Sequence, residues 1–123
     1  MNPEMEIGRG LPTLITRFPA SHEDCRYQIS CSLGDLKANH FRTLTTARAI
    51  ENHSYVIVAN RIGTDEDVSF RGASTIIDPY GATIAAACQD REQLIQAEIS
   101  EDAVKSVRSQ MEVFDHRRSD VYR

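Results

Sequence analysis

The stretch "ARAIENHSYVIVANRIG", Ala47 to Gly63, decides the fold. Its first half reads as the end of a helix. Asn52-His53 suits that end, because Asn tolerates the left-handed conformation found just past a C-cap. Its second half, Tyr55 to Ala59, is apolar at every position, with Val56, Ile57 and Val58 β-branched. A half-exposed strand would alternate, so a run like this predicts a strand buried on both faces. That strand drives straight into polar Asn60 and Arg61, the kind of strand end around which ligand groups gather.

Upstream, Leu36, Phe41, Leu44, Ala47 and Ile50 fall three to five apart and predict a helix over Asp35 to Asn52, with Asp35 as its cap. Arg48 lies within reach of Glu51 on the helix surface, the spacing of an ion pair. Downstream, "RIGTDEDVSFRG" is acidic, short of apolar residues and ends in Gly72, so it reads as a loop. "ASTIIDPYGATIAAA" reads as a strand, Ala73 to Asp78, a turn, and a second strand, Thr83 to Ala87. In "DPYG", Asp78 accepts hydrogen bonds, Pro79 presets φ and Gly81 permits the exit. Gln93 to Ile99 reads as a further strand, its alternation broken at Leu94-Ile95. Ser100 then caps a helix to Met111, with Glu101 and Asp102 at the positive end of its dipole. Val104, Val107 and Met111 form its apolar stripe. Val113, Phe114, Val121 and Tyr122 make the remaining tail too apolar to be free, and docking is expected.

Residues 1–35 form a poorly defined N-terminal segment, and residues 36–123 carry the pattern. Leu14-Ile15 allows at most one short strand, and "SHEDCRYQISCSLGD" alternates weakly through Tyr27, Ile29 and Cys31 before a turn at Gly34-Asp35.

A chain of 123 residues with 41% hydrophobic and 26% charged residues is sized for one domain of ordinary composition. A net charge of −4 gives no broad attraction for nucleic acid or anionic membrane. No apolar run approaches the ~20 residues of a membrane-spanning helix. The start, "MNPEMEIGRG", has acids and no apolar core, so no secretory leader is expected. Three cysteines, Cys25, Cys31 and Cys88, show neither a disulfide framework nor metal spacing. A reducing, cytoplasmic location fits them. His22 and Cys25 lack the further ligands that a zinc site needs, and no metal or cofactor is expected.

The motifs from His40 onward resemble the carbon–nitrogen hydrolase family, the nitrilase superfamily. "HFRTLTTARAIENHSYVIVANRIG" is similar to its helix and buried strand. "FRGASTIIDPYGATIAAA" is similar to its hairpin, "LIQAEIS" to its closing strand, and "VFDHRRSDVY" to its terminal tail. The order and spacing of the four carry the resemblance, which covers His40 to Tyr122. It implies the α/β layers of an αββα sandwich. The chain would supply its C-terminal half, one sheet of four to five strands with two main helices. It implies hydrolysis of a small amide, carbamoyl or nitrile substrate by a glutamate base, an oxyanion-stabilising lysine and a cysteine nucleophile. It also implies a homo-oligomer or a complementing chain.

The departures are at the catalytic residues. In the family all three precede the helix that begins here near His40, and only 39 residues lie before it. Cys31 in "QISCSLGD" is the candidate nucleophile, ahead of Cys25, which charged Asp24 and Arg26 flank, and only 16 residues lie between Cys31 and Arg48. Lys37 follows it, whereas the family lysine precedes its cysteine. A partial hydrolase without its triad, inactive alone, is the reading that follows. The alternative is a non-catalytic oligomerisation or partner module. Asn60, Arg61, Gly72 and Ser74 are the substrate-pocket candidates. Against that stands a structural role: Asn60 and Arg61 as a strand-end cap, and Ser74 satisfying a backbone carbonyl. Cys88 and His53 read as a small buried apolar side chain and a helix cap.

Overall fold

The computed structural model describes residues 25–30 and 34–121. Cys25–Ser30 forms strand β1, Gly34–Asn52 helix α1 and Tyr55–Asn60 strand β2. β1 and β2 are parallel, with Cys25 opposite Tyr55 and Ser30 opposite Asn60. A parallel pair needs a crossover, and α1 supplies it. Thr75–Ile77, β5, lies antiparallel on the other side of β2, and Thr83–Ala86, β6, pairs with β5. The four-stranded sheet has the order β1-β2-β5-β6. As its uniform apolarity predicts, β2 is central and every one of its residues is buried.

β2 feeds two clusters with alternate side chains. Tyr55 and Ile57 join Ile76, Ile95, Ile99 and Val104. Val56 and Val58 join Ile77, Ala49 and Phe41. One face of the sheet is therefore covered by α1. The other is covered by residues 93–99 and by Glu101–Gln110, helix α2.

Three expectations need correction. The segment "RIGTDEDVSFRG" is not a loop. Ile62–Asp65, β3, and Val68–Arg71, β4, form an antiparallel hairpin turned by Glu66-Asp67, with Glu66 left-handed at φ 51°. Its acidic tip masks the short alternation of Val68-Ser69-Phe70-Arg71, in which Phe70 is buried while Ser69 and Arg71 are exposed. Gln93 to Ile99 is extended but joins no strand ladder. Ile95 and Ile99 are buried, while Leu94, Gln96 and Glu98 are exposed. The alternation reports which side chains meet the core and not a strand pairing. Third, α1 buries Thr45 and Ala49, with Phe41 half-buried, while Leu44 and Ile50 are 58% and 43% exposed. A step of three residues falls about 60° short of a full turn. The series Phe41, Leu44, Ala47, Ile50 thus walks half-way round the helix, and the four-residue steps keep to one face.

The helix ends behave as capping chemistry requires. At the C-terminus of α1, His53 rather than Asn52 takes the left-handed conformation, φ 45°. His53 N–H donates to Ile50 O and Ser54 N–H to Ala49 O, both at 3.2 Å, the bond pattern of a Schellman motif. Arg48 and Glu51 do form the surface ion pair. Ser100 caps α2 by accepting the Asp102 N–H at 3.2 Å, and Met111 closes it. In the β5–β6 turn, Asp78 Oδ1 accepts from Tyr80 and Ala82 N–H at 2.9 and 2.8 Å. Gly81 has φ 87°, and a Cβ there would meet Ile50 at 2.7 Å. Docking of the tail within this chain extends to Phe114, edge-on to His53 at 5.4 Å. Val113 and Val121 are more than half exposed, and Tyr122 lies outside the described residues.

Candidate functional site

Parallel β1 and β2 end side by side at Ser30 and Asn60. From Asn60 the chain leaves into the β3–β4 hairpin and returns through Gly72 to Ser74, where β5 begins. Departure and return are stitched together. Asn60 N–H donates to Ser74 Oγ at 2.9 Å, and the Ser74 hydroxyl faces Asn60 O at 3.4 Å. Asn60 Nδ2 donates to Gly72 O at 2.6 Å, and Asn60 Oδ1 accepts the Arg61 N–H at 3.0 Å. Gly72 N–H reaches Arg61 O, and Ala87 N–H reaches Ser74 O, each at 2.8 Å. The four residues singled out from sequence thus meet in one hydrogen-bonded corner. Asn60 and Ser74 are nearly inaccessible, so leaving their polar groups unpaired would cost the full desolvation penalty.

The backbone of this corner is tightly wound. Gly72 and Ala73 are both left-handed, at φ 55° and 60°. A Cβ on Gly72 would run into the Ile62 side chain, so hairpin and corner close only around a glycine. Strain of this kind persists where the surroundings over-determine it, which the bonds on either side do here.

A cleft of about 250 Å³ opens beside the corner, on the face of the sheet that α1 covers. Phe41 and Arg42 of α1, Asn60, Arg71 of β4, Gly72 and Ile77 are among its walls. Of the four candidates, Asn60 and Gly72 line it. Arg61 and Ser74 hold the corner without lining the cleft, and the Arg61 guanidinium lies over the Phe70 ring at 4.5 Å. Arg42 and Arg71 were not legible as site residues. Arg42 lies beside the buried stripe Phe41, Thr45, Ala49, and choosing that stripe would have pointed to it. Arg71 sits in the segment that reads as a loop.

Cys31 lies outside the described residues. Cys88 is half-buried beyond the end of β6, its N–H bonded to Gln93 Oε1 at 2.9 Å. Lys105 pairs with Glu101 at 2.7 Å on the exposed side of α2. Among the described residues no three His, Cys, Asp or Glu side chains gather as a metal site would need. No helix there is long and apolar enough to cross a membrane.

Residues 22–109 match the family model described as carbon-nitrogen hydrolase. The chain is 41% identical over 85 residues to deaminated glutathione amidase from Escherichia coli O157:H7, covering 69% of this chain and 30% of that protein. It is 38% identical over 86 residues to 2-oxoglutaramate amidase from Bacillus subtilis (strain 168), covering 70% and 33%. The crystal structure of XC1258 from Xanthomonas campestris, a CN-hydrolase superfamily protein, superposes with a TM-score of 0.70 at 28% identity. That alignment covers 76% of this chain and 36% of the other. The chain spans about a third of the length of the two amidases it matches.

Proposed function

We propose that this chain, which belongs to the carbon–nitrogen hydrolase family, forms one wall of an amidase-type site for a small amide and does not turn it over alone. The observation that carries the reading is the corner itself. Asn60, Arg61, Gly72 and Ser74 lock a strand end rigidly, and the locked end opens on a cleft. A site needs its walls held to a fraction of an ångström, and rigid elements hold them better than loops do. The similarity to two amidases favours amide over nitrile or carbamoyl substrates. The inactivity follows from chemistry: nucleophile, base and oxyanion donor must converge on one carbon. Lys105 pairs with Glu101 on α2, and Cys88 lies beyond β6, on separate elements. Loss of groups that act as a unit costs on the order of 10⁶ in rate. The cysteine usage favours a cytoplasmic setting.

The test is ammonia release from 2-oxoglutaramate, deaminated glutathione, a carbamoyl compound and a nitrile. The wild-type chain is compared with Cys31→Ala and Cys25→Ala. Equal background from all three is the expected result. Turnover abolished by Cys31→Ala alone would overturn the inactive reading and establish a shortened active site.

A second reading, an oligomerisation or partner module, is favoured by the exposed apolar residues Leu44, Ile50, Val113 and Val121. Sedimentation velocity should then show a concentration-dependent assembly that Val121→Ser weakens. A monomer at all micromolar concentrations removes this reading.

A further inference from the structure

We infer that residues 93–99 pair with the same segment of a second copy of this chain, antiparallel about a two-fold axis at Gln96. The inference is independent of the amide reading, and it places association on a different surface from α1 and the tail. The segment is extended, with Ile95 and Ile99 buried and Leu94, Gln96 and Glu98 exposed. Among the described residues none of its backbone N–H or C=O groups has a hydrogen-bond partner. Backbone groups are obligatory donors and acceptors, so an extended row of them at the surface is a template for another strand. The row is also undefended. It holds no proline and no lysine, whereas β6, an edge of the four-stranded sheet, carries the register shift that discourages pairing there.

A second copy is the occupant because the segment complements itself. With the axis at Gln96, Gln93 lies opposite the second copy's Ile99, Leu94 opposite its Glu98, and Ile95 opposite its Ala97. At the ends Arg91 approaches the second copy's Glu101 with opposite charge, and no like charges face each other in between. An axis at Ile95 would instead set Glu92 against Glu98. Ile95 and Ile99 stay on one face in both copies, so the apolar layer beneath each segment continues across the axis. Leu94, 48% exposed, stands on the outer face with Gln96. There the two Gln96 carboxamides sit opposite each other, each able to donate and accept. The segment is extended before pairing, so association orders little new backbone.

The experiment uses the full chain. Sedimentation velocity should show a monomer–dimer equilibrium at micromolar concentrations. Amide exchange, followed residue by residue by nuclear magnetic resonance, should slow across 93–99 by about tenfold or more as concentration rises. The slowing should fall on alternate residues, because successive N–H groups of a strand point to opposite edges. Oxidation of Gln96→Cys should link two chains through position 96. Directly opposed residues lie about 4.5–5.5 Å apart at Cα, within the span of a disulfide. Leu94→Cys, also at an exposed position, should not link to itself, since the register sets its two copies four residues apart. Peptide mapping separates these bonds from any made by Cys25, Cys31 or Cys88. A monomer at every concentration, protection of 93–99 that does not change with concentration, or self-linking of Leu94→Cys in place of Gln96→Cys overturns the inference. A dimer that Val121→Ser abolishes while 93–99 exchange freely also overturns it and assigns association to the tail.

Discussion

Asn60 is a polar side chain placed where the most apolar strand of the chain ends, and its bonds explain the placement. It supplies a donor and an acceptor to a strand exit whose backbone groups are shielded from water. Ser74 does the same from the returning chain. Ser74→Ala should strip the Asn60 N–H of its acceptor in a buried site, at a cost of about 1–3 kcal/mol. Urea denaturation would show it as a lower midpoint at unchanged slope. Ala73 makes the opposite prediction. It holds a left-handed conformation that an L-residue adopts at about 1–2 kcal/mol. Ala73→Gly removes that strain and adds unfolded-state freedom, so a net gain of about 0.5 kcal/mol is expected. A lower melting temperature would mean that the Ala73 methyl packs productively against the cleft. At this scale the sequence was legible where a residue contradicted its surroundings. Asn60 stands out at the end of an apolar run, whereas Arg42 and Arg71 look like any surface arginine until two elements meet.

Elements were legible to the degree that their signal was local. Ser100, Glu101 and Asp102 announce the start of α2 within three residues, and Asp78 to Gly81 announce a turn within four. Both are present as read. Ser100→Ala should therefore cost about 1 kcal/mol, with the loss confined to the cap, and Ser100→Gly should restore most of it. Pairing is a non-local property, and there the reading failed. Residues 93–99 alternate as a strand does, yet only the position of neighbouring backbone decides whether a ladder forms. The β3–β4 hairpin failed in the other direction, since Val68 and Phe70 alternate with Ser69 and Arg71 over only four residues, and the Thr64 and Ser69 hydroxyls meet across the ladder at 3.5 Å. The β6 strand carries an irregularity no pattern announces. Ile76 pairs with Ala85 and Ile77 with Thr83, so Ile84 is the extra residue of a bulge and is exposed. In the tail, the Arg118 guanidinium holds the Asp120 carboxyl below its ordinary value. A depressed carboxylate favours the folded bend above its ordinary range and loses that preference as pH falls through its own value. Carbon-13 shifts of Asp120 on acidification should report the release. The pair is fully exposed, so global stability should not follow it.

At the scale of the whole chain, the fold is one part of a nitrilase-like sandwich: a four-stranded mixed sheet with helices on its two faces. β2 is shared by both layers, and this makes cooperativity the property to test. Ile57 points into the cluster that receives α2, and Ile77 into the one that receives α1. They sit on neighbouring strands with side chains on opposite faces. If the two layers were separate units, weakening one would melt its helix and leave the other intact. Because every residue of β2 is buried and its alternate side chains enter both clusters, loss of either layer exposes the strand on which the other depends. Ile57→Val and Ile77→Val should each cost about 0.5–1.5 kcal/mol. Opposite faces share no side-chain contact between them, so the double variant should show the sum to within about 0.5 kcal/mol. Far-ultraviolet dichroism, which follows the helices, and tyrosine fluorescence, to which Tyr55 and Tyr80 beside α2 contribute, should then give one common midpoint in all four proteins. A fluorescence transition that stays in place in Ile77→Val while the dichroism midpoint falls would show that the α1 layer melts alone, and that β2 does not couple the two faces.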